Sequence, residues 1–79
     1  MSYANKMKAF RLKQNLTQRE VSDVVGWTSS QFVSNIERGI CRYPVDKFKA
    51  LAKIFKVPQK QLIALEVQAH ETEVKRFCR

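Results

Sequence analysis

Ser30, Gln31, Ser34, Asn35 and Arg38 recur at the spacing that puts residues on one face of a helix. Their chemistry is unusual for a solvated face, which ordinarily mixes Lys with Glu. Here amides and hydroxyls dominate, with one positive charge at the end and no acid. Each amide or hydroxyl can both donate and accept a hydrogen bond. That is the repertoire needed to read base edges in a major groove. The intervening Phe32, Val33 and Ile36 form an apolar stripe on the opposite side.

Such a face works only if other elements hold it outward. Residues 17–38 read as two short helices joined by a tight turn at Gly26. Val21, Val24 and Val25 make the inward stripe of the first. Thr17 and Glu20 form a capping box at its start, where hydroxyl and carboxylate each satisfy an orphan amide. Gln18 falls in the first turn, where free N–H groups and the helix dipole favour a phosphate. The Trp27 ring is expected between helices, Thr28 or Ser29 caps the next helix, and Gly39 ends it.

The flanks are helical as well. Tyr3, Met7 and Phe10 give a core stripe to a first helix over residues 3–14. Arg11 borders that stripe and needs a partner. Asn15 suits the left-handed position past the helix end, and Leu16 fills the gap that follows. Residues 40–43 form a loop, and Pro44 opens a fourth helix. Val45, Phe48, Leu51, Ala52, Ile54 and Phe55 supply its apolar face. Pro58 begins a fifth helix containing Leu62, Ile63 and Leu65. No Gly or Pro follows residue 58, so this helix is free to run on toward Phe77 along a sparse seam of Val67, Val74 and Phe77. That tail either makes a dimer contact or frays.

The 79 residues suffice for one small domain, and 44% hydrophobic content favours folding over disorder. The pattern is all-α. Lys and Arg number 15 against 7 acids, for a net charge of +8. Six of those cations and one acid lie in residues 40–60, just after the amide-rich helix, so a polyanion is the natural partner. Cys41 and Cys78 are far apart, with no disulfide framework or zinc spacing, and read as free thiols in a reducing compartment. No apolar run approaches the ~20 residues of a membrane span, and no signal segment precedes the first helix. His70 is alone, no Gly-rich phosphate loop occurs, and neither an enzyme nor a metal or cofactor site is expected.

Across residues 7–65 the chain resembles the helix-turn-helix family of phage repressors, Cro proteins and related small bacterial regulators. The resemblance rests on Arg11, on Leu16-Thr17-Gln18-Arg19-Glu20-Val21, on Gly26, and on Val33-Ser34-Asn35-Ile36-Glu37-Arg38-Gly39. Leu51-Ala52-Lys53 and Val57 extend it. It departs from the commonest family spacing by one extra residue in the turn around Trp27 to Ser29. The resemblance implies a compact five-helix domain of the lambda-repressor type over residues 1–65, leaving 66–79 as a C-terminal helical extension. It also implies an ion pair between Arg11 and Glu37 tying the first helix to the end of the third. Arg38 and Arg42 match positions that touch phosphates.

The expectation is therefore a cytoplasmic, sequence-specific regulator of the repressor kind, in a bacterial or phage-infected cell. It would bind double-stranded DNA as a homodimer on a two-fold symmetric operator. Ser30, Gln31, Ser34 and Asn35 would contact bases, and Gln18, Thr28, Ser29, Arg38 and Arg42 would contact phosphates, with Lys47 beside them. Tyr43 would either bond a phosphate or pack on the fourth helix. The rival is an antitoxin-like protein-interaction module on the same scaffold, with its partner held by the 66–79 tail.

Overall fold

Each helix is started and stopped by identifiable residues. The computed structural model describes residues 2–72, 77 and 78, the side chains of 69–72 excepted. Ser2 caps α1 (Tyr3–Lys13) by accepting from the Asn5 amide at 3.2 Å. The helix stops at Asn15, whose φ of 58° is left-handed. In α2 (Gln18–Val25) both halves of the capping box form: Glu20 N donates to Thr17 Oγ1 at 3.0 Å, and Thr17 N to Glu20 Oε1 at 2.8 Å. Gly26, at φ 90°, closes it, and Trp27 N reaches back to the Ser22 carbonyl at 2.9 Å. A Cβ on Gly26 would meet nothing within 4 Å, so only the backbone conformation demands glycine there.

α3 spans Gln31–Glu37, starting later than its caps suggested. Ser30 holds the cap position without a side-chain bond, while Ser29 Oγ accepts from Gln31 N at 3.3 Å. Pro44 opens a short 3-10 turn (Val45–Lys47) rather than the helix itself, and α4 covers Phe48–Phe55. α5 covers Gln59–Thr72. Expectations about Val74 and the His70 side chain lie outside the described residues.

The five helices enclose one core. It contains Tyr3 and Met7 from α1, Val21 and Val25 from α2, and Val33 and Ile36 from α3. Cys41, Tyr43, Phe48, Leu51, Phe55, Leu62, Leu65 and Cys78 complete it, and Phe10, Leu16, Trp27 and Phe32 are among the residues packed against it. Val24 and Val45 depart from their expected inward stripes and are about half exposed, at 47% and 54%. The Trp27 ring stacks on Tyr43 at 5.9 Å and meets Phe32 edge-on at 5.0 Å, fixing the turn before α3 to the body.

The tail corrects two expectations. Cys41 and Cys78 are not free thiols but a disulfide, with their Cα atoms 5.3 Å apart. Phe77 and Cys78 return to the 41–43 loop, where Cys78 N donates to the Arg42 carbonyl at 2.7 Å and Arg42 forms a parallel bridge with Phe77. Phe77 and Cys78 thus lie as a strap against the loop rather than in a continued helix. Separation of 37 residues hid the pairing, because spacing rules for cysteines are local.

Candidate nucleic-acid interface

The polar face of α3 follows from its buried face. Val33 and Ile36 are fully buried and Phe32 packs against the core, which fixes the rotation of the helix. Gln31 and Arg38 are consequently exposed, and Ser30, Ser34 and Asn35 are half-buried along the same side. Thr28 and Ser29, both exposed, continue it past the helix start. The structure therefore brings together the four residues expected at bases and three of the five expected at phosphates.

These side chains are already ordered among themselves. Asn35 Oδ1 accepts from Gln31 Nε2 at 2.9 Å and from Arg38 Nη2 at 2.6 Å. The three residues are spaced four and three apart, one helical turn each. Next to them Arg19 pairs with Asp23 at 3.1 Å and donates from Nη1 to the Thr28 carbonyl at 3.3 Å, tying α2 to the turn.

Behind the face, the ion pair implied by the resemblance is formed. Arg11 Nε and Nη2 donate to the two Glu37 carboxylate oxygens at 2.7 and 3.0 Å, and Nη1 donates to the Leu16 carbonyl at 2.7 Å. The hydrogen bonds to Glu37 raise the Arg11 pKa, outweighing the opposing effect of burial. Gln18 joins this cluster, since its Nε2 donates to Glu37 Oε1 at 3.1 Å. A phosphate contact by the Gln18 side chain would have to use its other amide hydrogen.

Arg42 is a correction. Only 1% of it is exposed, so it is not on the surface that a DNA backbone could reach. Its guanidinium pairs with Glu66 of α5 and lies 4.2 Å from the centre of the Phe77 ring. Tyr43 is equally sealed, which resolves its role in favour of packing; its backbone N–H donates to the Tyr3 hydroxyl at 3.0 Å. Burial pushes both phenols well above their ordinary pKa. The missed partners, Glu66 and Phe77, had only a faint signal. Arg42 stands between Cys41 and Tyr43 much as Arg11 borders Phe10, and a cation beside buried residues needs an acid somewhere.

Among the described residues no cluster of His, Cys, Asp or Glu could hold a metal ion, and no helix is long and apolar enough to cross a membrane. A helix-turn-helix family model matches residues 7–58, from within α1 to the residue before α5. No curated protein matches the chain.

Proposed function

The chain belongs to the helix-turn-helix family, and from that premise we propose that it is a sequence-specific DNA-binding transcriptional regulator that lays α3 in the major groove. Ser30, Gln31, Ser34 and Asn35 form the side turned to the bases. Arg38, Thr28 and Ser29 hold phosphates at the two ends of that side, with Lys47 nearby and Gln18 through its remaining amide hydrogen. Phosphate contacts set the register while base contacts carry the sequence. The protein then acts by occupying its site, as a repressor does.

One observation carries this reading: no described part of the chain covers the amide-bearing side of α3, with Gln31 exposed and Asn35 half-exposed. A polar helix face of this composition, left open on a chain of net charge +8, matches what a duplex presents.

The operator would be two-fold symmetric and bound by a homodimer, with half-sites about 34 Å apart. We place the two-fold contact on α5, where Ile63 and Val67 lie one turn apart and are about half exposed, at 48% and 57%. Selection of bound sites from a random duplex pool tests the whole reading. A symmetric motif, bound more weakly as salt rises, is expected. No duplex binding at low salt would overturn it and favour the protein-interaction alternative. Ile63→Lys with Val67→Lys is expected to yield monomers by light scattering.

A further inference from the structure

Within the α3 face, we propose that Asn35 is a positioning residue rather than a base reader, and that it orients Gln31 to recognise adenine. This rests on the groove-binding role given above. Two donors, Gln31 Nε2 and Arg38 Nη2, converge on one terminal atom of Asn35. A guanidinium can only donate, so that atom is the oxygen and the amide orientation is fixed by chemistry.

An amide carbonyl has two lone pairs. Both of Asn35's are engaged, at 2.9 and 2.6 Å. Reading adenine requires one amide to accept from N6 and donate to N7 together. Asn35 could do so only by giving up a bond it already makes, one of them to a charged donor. Gln31 is in the opposite state. One of its two amide hydrogens goes to Asn35, and Oε1 takes no hydrogen bond from any described residue. The amide hydrogen cis to Oε1 lies beside it in the carboxamide plane, and with the trans hydrogen given to Asn35 those two atoms form the pair adenine needs. The bond to Asn35 thus leaves the reading edge open and removes the freedom of a long side chain before DNA arrives. Arg38 completes the relay, since its guanidinium has further N–H groups to place on a phosphate while it holds Asn35.

The test compares wild type with Gln31→Ala, Asn35→Ala and Asn35→Asp. Aspartate keeps the acceptor and removes every donor at that position. In the DNA-free protein, 15N relaxation of the Gln31 side-chain amide is expected to show an ordered group in wild type and Asn35→Asp, and a mobile one in Asn35→Ala. On the selected site and its single-base-pair variants, Gln31→Ala is expected to lose about 5- to 150-fold of preference at one base pair. Asn35→Ala is expected to lose about 2- to 10-fold at that same pair. Asn35→Asp is expected to keep that preference while binding all sequences more weakly, because its charge opposes the backbone.

The proposal is overturned if Asn35→Asp loses the preference as fully as Asn35→Ala. It is equally overturned if Asn35→Ala erases preference at a base pair that Gln31→Ala leaves intact, or if the Gln31 amide is mobile in wild type. Absence of any duplex binding would strike the functional reading instead, and the relaxation measurement still decides whether the relay exists.

Discussion

Removing the Glu37 carboxylate is expected to be among the most damaging single changes to this fold that leave the apolar core intact. Glu37 accepts from Arg11 twice and from Gln18 once, at 2.7 to 3.1 Å. The side chains of Arg11 and Glu37 are only 10% and 4% exposed, so water cannot replace the lost partner. In Glu37→Ala the guanidinium would keep a single acceptor, the Leu16 carbonyl. Breaking one side of such a buried pair costs about 3–5 kcal/mol. A domain of this size has a total stability of roughly 5–10 kcal/mol, so much of it would go. Urea unfolding followed by Trp27 fluorescence is a suitable assay, since that ring contacts both Phe32 of α3 and Tyr43. With a slope of about 1–3 kcal/mol per molar urea, the midpoint should fall by roughly 1 M or more. The double change Arg11→Met with Glu37→Leu should return to within about 1 kcal/mol of wild type, because no charge is then stranded. A single-mutant loss below about 1 kcal/mol, or a double mutant as weak as the two losses summed, would refute the argument.

Arg38→Ala should lower the slope of log affinity against log salt by about one unit, whereas Arg42→Ala should leave the slope alone and cost about 3 kcal/mol of stability by stranding Glu66; equal slope changes would contradict the burial of Arg42. Reduction of the Cys41–Cys78 bond, or its replacement by two serines, should cost up to about 4 kcal/mol by the loop-entropy account for 37 residues. Identical urea midpoints for oxidised and reduced protein would show that the strap adds nothing. The buried phenols of Tyr3 and Tyr43 hold their protons above the ordinary value of 10.0, while the unfolded chain releases them there. Stability is therefore undiminished below about pH 10 and falls as pH rises through the higher folded values. Tyrosinate absorbance should appear together with unfolding, and both phenols ionising near pH 10 in an intact fold would count against it.

How much could be read without coordinates followed the range of each interaction. The capping box at Thr17 and Glu20, the left-handed stops at Asn15 and Gly26, and the outward turn of Gln31 are encoded within a few residues. Local spacing made them visible. Arg11 and Glu37 were reachable because the family resemblance carried a long-range pairing with it. Arg42 had no such help. Its acid is 24 residues away and its ring partner 35, beyond the span where the resemblance holds. The same distance concealed the disulfide. Val24 and Val45 failed for a simpler reason: helical spacing gives a stripe, but the width actually covered depends on how closely the neighbouring helix approaches.

The empty space beside Gly26 invites a chemical experiment. At φ 90° and ψ 19° an ordinary L-alanine is strained, yet there is nothing for its methyl to strike. A mirror-image alanine installed by total synthesis finds that conformation natural, its methyl taking the place of the other α-hydrogen. It would withdraw freedom from the unfolded chain, a gain of about 0.4–1 kcal/mol where that methyl meets no neighbour, by analogy with compatible glycine replacements. The pivot between α2 and α3 is in this sense a question of backbone handedness.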